Sequence, residues 1–302
     1  MSKALTMTVI FKANSLNYGE GIANIAELKK IHRGNGEVYT FASRQSIRYD
    51  IVRMGNELFN WNLNTVERQS GGVVQFRRDV SIEDSVEMDL FGYMKTLSGN
   101  QSQKRPAVAR LSHSISLEPY KSDLEFLNNM GLAERIGENA NLANIEQHDS
   151  LYTYTITLDL GRVGKDENDN VELPVEEKSN RVQQLLDILK VLNRNIKGRQ
   201  ESLSPLFVVG GVYPVANPFF MGKVSLDNDS KGWTLNTSPI EDVMEQTFAG
   251  NKIGDQTQIA LLNGLFDNES EIKQNFADKC ISIEEFFSGI KQRINEAYEV
   301  IK

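Results

Sequence analysis

Hydrophobic and polar residues alternate along the chain at two spacings, which predict its strands and helices. Apolar residues alternate with threonine over residues 5–13, and aromatic and β-branched residues fill 151–159, as is typical of strands. Apolar residues three and four positions apart over 43–58 and 174–196 predict two long amphipathic helices. The same patterns predict further strands at 73–76, 106–117, 206–212 and 219–226, and further helices at 124–130, 239–248, 272–276 and 282–301.

Two stretches show neither spacing. Residues 14–40 hold four glycines and a basic cluster at 29–33 (KKIHR), and are expected to form mainly a long functional loop. Residues 139–147 are rich in asparagine and are expected to be irregular.

No internal repeat or low-complexity linker divides the chain, which favours one folded body with insertions. The order strand, helix, insertion, strand, strand, helix, strand is compatible with an α+β fold on a split βαβ, ferredoxin-like core.

The predicted helix at 43–58 separates its charges from its apolar face. Ser43 stands where an N-cap residue is expected, with Gln45 and Ser46 beside the first turn. Arg44 and Arg48 lie four residues apart and therefore project together. Free amides, hydroxyls and two guanidinium groups at one helix start suit a phosphate site, while a surface helix with solvated arginines is the plainer alternative. The apolar face is expected to consist of Ile47, Ile51, Met54 and Leu58.

Composition narrows the class of protein. With 302 residues, of which 40% are hydrophobic and 25% charged, the chain has the make-up of a soluble globular protein. A single cysteine, Cys280, excludes an internal disulfide and fits a reducing cytoplasm. Because Cys280 has no adjacent histidine, we interpret it as a structural residue. No apolar run has the length of a membrane span or a signal peptide. We therefore expect a cytoplasmic protein with no membrane partner.

Charge is distributed unevenly along the chain. The net charge of −8 argues at first against a nucleic-acid partner, because Lys and Arg dominate phosphate binding. Residues 1–53, however, carry eight Lys or Arg against four Asp or Glu, a local charge of +4 that leaves −12 for the rest. A second basic segment, 190–200, contains four Lys or Arg and no acid. Such a separation lets a protein bind phosphates on one face and remain soluble on the other.

The sequence shows no established catalytic motif. There are three histidines, and no HExxH, CxxC, GxGxxG or GxxxxGK[ST] pattern is present. His113, with Arg110 and Ser112 beside it, is the best single candidate for acid–base chemistry, against a histidine packed and hydrogen-bonded in the sheet. Asp50 and Asp89 each lack a second carboxylate at a spacing suited to a metal. No metal and no cofactor are therefore expected.

Several stretches, in order, resemble one protein family. They are SLNYGEG at 15–21, FASRQSIR at 41–48, LFGYM at 90–94, ARLSHSIS at 109–116, YTYTI at 152–156, and 193–200 with the strand after it. On these motifs the chain resembles the major backbone subunit of the type I CRISPR Cascade surveillance complex. The DevR-like branch of subtype I-B is the most similar.

The resemblance implies a particular architecture. Proteins of this family have an RRM-like palm, an inserted fingers subdomain and a protruding thumb. Transferred to this chain, the palm is expected at 1–58, 105–120, 149–196 and 233–302, the fingers at 59–104 and 121–148, and the thumb at 197–232.

The resemblance also implies a function without catalysis. Copies of such a subunit stack into a helical filament along the CRISPR guide RNA, and a neighbour's thumb folds over the strand and displaces a base at regular intervals. Target DNA pairs with the presented segments, and a separate helicase-nuclease cuts it. The expected partners are CRISPR guide RNA, complementary target DNA, further copies of the chain and other Cascade subunits.

The residues expected to bind RNA follow from the same resemblance. The helix that grips the RNA phosphates in this family corresponds here to Ser43, Arg44, Gln45 and Arg48, and the end of the first palm strand corresponds to Lys12 and Asn14. The loop that approaches the bases corresponds to Phe91 and Met94, and the strand that faces the RNA corresponds to Ser112 and His113. The base of the thumb corresponds to Lys197, Arg199 and Gln200. Tyr93 stands where the family often has a basic residue, and the stacking aromatics of RRM domains are absent as a motif. Contacts to phosphates and 2′-hydroxyls, rather than to base edges, are therefore expected.

Two other functions stay open. The first is a guide-directed ribonuclease, because related backbone subunits of type III systems cut target RNA with a loop aspartate. The second is a metabolic enzyme of ferredoxin-like fold, although the sequence contains no cofactor-binding or catalytic motif that would support it. Regularly spaced cleavage of a complementary RNA in magnesium would distinguish the ribonuclease from a scaffold.

Overall fold

The computed structural model describes residues 3–21, 23–34, 36–68, 72–96, 102–227 and 232–301. Its helices are α1 (Arg44–Phe59), α2 (Val86–Phe91), α3 (Met130–Ala133), α4 (Val175–Lys190), α5 (Ser238–Glu245), α6 (Ile253–Gln256), α7 (Glu269–Phe276) and α8 (Ile283–Ile301). The strands are β1 (Ala4–Ala13), β2 (Ile25–Ala26), β3 (Lys30–His32), β4 (Val38–Ala42), β5 (Val66–Arg68), β6 (Val74–Phe76), β7 (Tyr93–Thr96), β8 (Ser102–Arg105), β9 (Ala109–Leu111), β10 (Ser114–Ser116), β11 (Asp123–Asn128), β12 (Leu142–Gln147), β13 (Ser150–Asp159), β14 (Lys165–Asp166), β15 (Val171–Glu172), β16 (Asn193–Ile196), β17 (Arg199–Ser202), β18 (Phe207–Tyr213), β19 (Thr247–Phe248), β20 (Asn251–Lys252), β21 (Thr257–Leu261) and β22 (Cys280–Ile281).

One large sheet organises this mixed α/β fold. Its strands lie in the order β22-β21-β18-β1-β13-β10-β4-β3, and β9 also pairs with β13. The two long central strands, β1 and β13, pair antiparallel over their full length, from Ala4 opposite Asp159 to Ala13 opposite Ser150. Small two- and three-stranded sheets lie outside it, among them β11-β12-β2, β7-β8 and the hairpin β16-β17.

The two faces of the large sheet bury different helices, because successive side chains of a strand point to opposite sides. On one side Leu5, Met7, Val9 and Phe11 of β1 join the apolar faces of α1, α4 and α8 in the largest core cluster. On the other side strand residues such as Ile10 and Val209 pack with α5, α6 and α7. Thr8 points the same way and lies 2.7 Å from the Thr155 hydroxyl of β13. Part of this second face, along β9, β10 and β13, stays open and forms a groove described below.

A bulge divides the strand that the sequence predicts at 106–117. Leu111 pairs with Ile156 and Ile115 with Thr153, so four steps along one strand face three along its partner. The Ser112 hydroxyl accepts the Thr155 N–H at 2.9 Å, which satisfies an amide that the ladder leaves free. Such a bulge bends the strand and redirects a side chain, here that of His113.

Several predicted elements are confirmed and others are wrong. Strands β1, β6, β13 and β18 and helices α1, α5, α7 and α8 lie where the patterns place them. The predicted helix at 124–130 is wrong, since 123–128 is strand β11, and the predicted irregular stretch at 139–147 contains β12. The helix expected to reach Ile196 ends at Lys190. No strand is present at 219–226, where the structure has turns, and the predicted loop at 14–40 contains β2, β3 and part of β4.

The expected boundaries of the thumb and of one apolar face also need correction. Strand β18 lies within the predicted thumb range of 197–232, yet it is a central strand of the large sheet beside β1. Those residues therefore do not protrude. On α1, Ile47, Ile51 and Met54 are buried as expected, whereas Leu58 is 51% exposed.

None of the described helices combines the length and apolar character that a membrane span requires.

Two helical glycines give a test of the packing. A Cβ on Gly55 of α1 would lie 2.2 Å from the Trp61 ring, whereas a Cβ on Gly289 of α8 would meet only the Gln258 amide oxygen at 3.6 Å. We expect Gly289→Ala to stabilise the protein by roughly 0.5–1 kcal/mol, because Ala is the better helix former. Gly55→Ala should instead destabilise it by about 1–3 kcal/mol through overpacking. Urea denaturation midpoints of the two variants measure both effects, and stabilisation of both would contradict the packing of Trp61 on α1.

Candidate nucleic-acid interface

The start of α1 is built by residues from three parts of the chain. Ser43 is its N-cap, and its hydroxyl accepts the Ser46 N–H at 3.2 Å. The Asn17 side chain accepts the Ser43 N–H at 3.1 Å, and His113 Nδ1 accepts the Arg44 N–H at 3.2 Å. These amides are therefore already engaged. The expectation of free amides for a phosphate is wrong at Ser43, Arg44 and Ser46, and guanidinium groups are left as the main anion-binding groups.

His113 lies on the bulge as an exposed side chain, and it is not packed inside the sheet as the alternative interpretation would require. Its ring stands edge-on to Phe41, with centroids 5.4 Å apart. With Nδ1 accepting from the Arg44 amide, the ring caps α1 and fixes the helix against the strand edge. Beside it, Ser112 is half-buried, and its hydroxyl is hydrogen-bonded to main-chain atoms of His113 and Thr155.

Three arginines converge on one groove between α1 and β9, which we call the arginine groove. Its volume is about 330 Å³, and it is lined by Arg44, Gln45, Arg48, Phe91, Ala107, Ala109, Arg110 and Leu111. Arg44 and Gln45 are exposed, and within the described part of the chain the Arg44 guanidinium forms no ion pair. Arg110 is also exposed and donates from Nε to the Ala107 carbonyl. The lining includes no carboxylate.

Arg48 differs from its two neighbours. Its guanidinium lies 2.6 Å from the Glu87 carboxylate and 5.3 Å from the centre of the Phe91 ring. Phe91 is 7% exposed and belongs to the main core, so it supports Arg48 from below rather than reaching into solvent. Met94, three residues on, is 57% exposed on β7. Of the two residues predicted near the bases, only Met94 is thus presented to solvent.

A second groove adjoins the first on the open face of the sheet, and we call it the sheet groove. It has a volume of about 530 Å³ and shares Arg44 and Leu111 with the arginine groove. Ser112 and His113 line it, and Arg33 stands on its rim with its guanidinium 4.0 Å from the centre of the Tyr39 ring. Its apolar wall consists of Leu111, Ile115, Leu117, Met221, Val224 and Leu226.

The predicted thumb-base residues lie on the hairpin β16-β17, beside the start of α1. Arg199 donates to the Ser15 hydroxyl at 2.7 Å, and the Lys197 amine lies 5.3 Å from the centre of the Tyr18 ring. Gln200 is exposed and faces asparagine side chains of the same hairpin. In the same hairpin Arg194 is 2.7 Å from Asp50, so the hairpin is fastened to the first turns of α1.

Asp50 has a structural role at this junction. Its carboxylate is 2% exposed and pairs with Arg194 and, at 3.6 Å, with Arg53. Burial raises the pKa of Asp50 above its ordinary value, and the two arginines oppose that shift. Because Arg53 and Arg194 both pair with Asp50, neither guanidinium group is freely available to a phosphate.

Lys12 and Asn14 lie apart from the two grooves. The Lys12 amine pairs with Asp149 at 3.0 Å and lies 5.3 Å from the centre of the Trp233 ring, near an acidic depression that includes Asp149 and Asp267. The Asn14 N–H donates to the Glu201 carboxylate, which ties the end of β1 to the hairpin. The structure therefore does not bring Lys12 together with Arg44.

The described ranges show how possible metal ligands and two titratable groups outside the grooves are placed. No set of three His, Cys, Asp or Glu side chains there is placed to hold a metal. Burial lowers the pKa of His148, whose Nδ1 lies 2.7 Å from the Thr40 hydroxyl in the interior. Burial raises the pKa of the Cys280 thiol, which disfavours the thiolate form.

The sequence patterns did not indicate Arg33 and Arg110 as site residues. Arg33 belongs to the basic cluster of the predicted loop, and Arg110 directly precedes Leu111 on the strand that carries Ser112 and His113. Both could have been found from that strand and that cluster, since two-residue alternation places Arg110 and Ser112 on one side. What the sequence could not show is that α1 docks beside β9 and adds Arg44 and Arg48.

Comparison with known proteins identifies the family. A family model described as "CRISPR-associated negative auto-regulator DevR/Csa2" matches residues 5–230. No curated protein matches the sequence. The fold is similar to a chain of a "CRISPR RNA-guided surveillance complex, pre-nicking", with a TM-score of 0.59 and 12% identity over 97% of this chain and 100% of that one. It is also similar to a chain of a "CRISPR RNA-guided surveillance complex", with a TM-score of 0.55 and 15% identity over 97% and 99% of the two chains. The chain belongs to the DevR/Csa2 family of CRISPR-associated proteins.

Proposed function

We propose that this protein is a non-catalytic, guide-RNA-binding backbone subunit of a type I CRISPR surveillance complex. The observation that carries the proposal is the arginine groove, where Arg44, Arg48 and Arg110 meet in an open channel without a carboxylate in its lining. Guanidinium groups suit phosphates in geometry and charge, and contacts to phosphates do not depend on base identity. The family assignment and the similarity to chains of RNA-guided complexes support the same function.

The topology supports an RRM-like palm. The elements β1, α1, β10, β13, α4 and β18 follow one another along the chain, and their strands lie in the order β18-β1-β13-β10. This is the order of a ferredoxin-like βαββαβ unit. In that arrangement α1 and α4 cover one face, and the arginine groove lies where α1 meets the strand edge. We propose that copies of the chain stack along the RNA and present it to complementary DNA together with other subunits of the complex.

Binding of unrelated single-stranded RNAs by the purified full chain tests this function. We expect similar affinities for different sequences and a steep decrease with salt, because each neutralised phosphate releases condensed counterions. Three arginine contacts correspond to a slope of about −2 in a plot of log affinity against log salt, at roughly −0.7 per phosphate for single strands. Strong preference for one sequence, or affinity independent of salt, would overturn the proposal.

The ribonuclease is the competing function, and it makes a different prediction. Cleavage by a loop aspartate requires a carboxylate close to the bound strand, whereas Glu87, near the arginine groove, is already paired with Arg48. We expect assembled protein and guide RNA to leave a complementary RNA intact in magnesium over hours, as resolved on a denaturing gel. Products at regular spacing, abolished by chelation of the metal, would establish the ribonuclease instead.

A further inference from the structure

Four threonines form a buried ladder of hydroxyl groups on the second face of the large sheet. Thr6 and Thr8 of β1 lie opposite Thr157 and Thr155 of β13, and all four residues are at most 7% exposed. Further along β1 on the same side, Ile10 packs in an apolar core. Valine has nearly the shape of threonine and would avoid the cost of burying hydroxyl groups, so each hydroxyl here needs a partner.

Thr157 is the member of this ladder whose hydroxyl is not satisfied inside the chain. The Thr8 and Thr155 hydroxyls lie 2.7 Å apart and bond to each other. The Thr6 hydroxyl donates to the Asn217 carbonyl at 3.0 Å and lies 3.4 Å from the Thr157 hydroxyl. Within the described part of the chain, the Thr157 hydroxyl has no acceptor for its own proton. It can therefore donate a hydrogen bond to a ligand.

Thr157 lines a small pocket that we call the hydroxyl slot. Its volume is about 240 Å³, less than the roughly 300–1,000 Å³ of sites that enclose a whole small molecule. The slot therefore suits one part of a larger ligand. Its lining joins hydroxyl-bearing residues of the sheet to the segment that follows β18: Ser112, Thr155 and Thr157, and Ala216, Pro218 and Met221.

Arg110 connects the hydroxyl slot to the arginine groove. It lines both of them, and it lies directly opposite Thr157 in the pairing of β9 with β13. Side chains of directly opposite residues project to the same side of a sheet, with Cβ atoms about 4.5–5.5 Å apart. A phosphate bound by Arg110 therefore brings its attached sugar close to Thr157.

The charges of the slot suit a sugar better than a second phosphate. Arg110 and Arg162 line the slot, but so does Asp159, whose carboxylate accepts the Gly161 N–H at 3.2 Å. A carboxylate repels a phosphate, whereas it accepts a hydrogen bond from a sugar hydroxyl. The arginine groove has no carboxylate in its lining, so the phosphate is better placed there.

We propose that the hydroxyl slot receives the ribose next to the phosphate at Arg110, and that Thr157 hydrogen-bonds its 2′-hydroxyl. The site then selects RNA over DNA, and the contact does not depend on the base because it is made to the sugar. This inference rests on the proposed function, since it requires an RNA backbone in the arginine groove. It assigns the selection of RNA to a residue outside the positions that the family resemblance indicates.

Matched RNA and DNA strands test the slot. The full chain is titrated by fluorescence anisotropy with a single-stranded RNA and with the same sequence as a 2′-deoxy strand, with uracil kept in both. We expect wild type to bind the RNA roughly two- to tenfold more tightly, which corresponds to one hydrogen bond. Thr157→Val should lower the RNA affinity to that of the DNA. The DNA affinity and the salt slope should stay unchanged, because the variant removes no phosphate contact.

Thr153→Val is the matched control. Thr153 lies on the same strand and the same side, but it lines the sheet groove and not the slot. Its hydroxyl also lacks a hydrogen-bond partner within the described chain, so the substitution is chemically equivalent. This variant should keep the wild-type preference for RNA. An equal loss of preference in both variants would overturn the role of the slot.

A 2′-fluoro RNA separates recognition of the hydroxyl from recognition of strand shape. Fluorine keeps the sugar pucker of RNA but cannot donate a hydrogen bond, so wild type should bind this strand as weakly as DNA. If the 2′-fluoro strand binds as RNA does, the proposal is wrong, and this result needs no variant that folds. Equal affinity for RNA and DNA would overturn the slot and leave the proposed function standing, whereas binding of neither strand would overturn both.

Discussion

Replacing Arg44 and Arg110 together by Ala should weaken RNA binding more than tenfold, by the same factor for all sequences. Both guanidinium groups are exposed in the arginine groove, and neither takes part in an ion pair within the described part of the chain. Removing one charge-assisted hydrogen bond to a phosphate costs roughly 1–3 kcal/mol, and a change of about 1.4 kcal/mol is tenfold in affinity. The slope of log affinity against log salt should also become shallower by roughly 0.7 per arginine removed.

Arg48→Ala provides a comparison within the same groove, because its guanidinium is already held by Glu87 at 2.6 Å. We expect a smaller decrease in affinity than for Arg44→Ala, since a phosphate competes with an existing carboxylate. Arg293→Ala on α8 is the control, because Arg293 lines neither groove and donates instead to the Gln256 carbonyl. Titration by fluorescence anisotropy at two salt concentrations measures all four variants. If the double variant binds RNA like Arg293→Ala, the arginine groove is not the RNA site.

Local sequence patterns predicted the elements whose own residues decide their structure. In β1, Leu5, Met7, Val9 and Phe11 alternate with threonine and bury one face, so a two-residue period was enough. In α4, Val182, Leu185, Leu186 and Leu189 are all fully buried at helical spacing. The N-cap at Ser43 could also be predicted, because the serine hydroxyl itself accepts a hydrogen bond from the first turn of the helix.

Elements whose structure depends on distant partners were not predictable in this way. Residues 124–130 contain leucine, glutamate and phenylalanine, which suit a helix, but 123–128 pair along their length with 142–147 and become a strand. The asparagine-rich character of 139–147 conceals the second member of that pair. The missed strand β21, at 257–261, is likewise defined by its pairing with β18.

Only part of the candidate site could be predicted from the sequence. The motif around Arg44 and Arg48 indicated the helix that lines the arginine groove, but which arginine is free of an ion pair depends on Glu87, some forty residues away. His113 was singled out for chemistry, whereas the bulge makes it a cap on α1 through Nδ1. Registers and bulges of this kind arise from strand pairing and are invisible to a single-sequence pattern.

The largest effect on stability should come from Asp89, which lies between two arginines in the interior. Its carboxylate is fully buried, 2.8 Å from Arg105 and 3.0 Å from Arg181, and it accepts the Gly164 N–H at 2.9 Å. Burial raises the pKa of Asp89, while the two arginines and the Gly164 amide oppose that shift. Arg105 also donates to main-chain carbonyls of Asp89, Arg162 and Lys165. The cluster thus joins α2, β8 and α4.

We expect Asp89→Asn to lower the free energy of unfolding by roughly 3–5 kcal/mol, because it removes the fully buried carboxylate that Arg105 and Arg181 share. Asp79→Asn is the matched control: its pair with Arg77 lies on the surface, with the Asp79 side chain 66% exposed, and should contribute about 0–1 kcal/mol. Urea denaturation of both variants gives the comparison. The cluster also holds α2, whose Glu87 and Phe91 position Arg48. Near-equal effects of the two substitutions would mean that the buried cluster is not what fastens α2 to the sheet, and the arginine groove would then need another support.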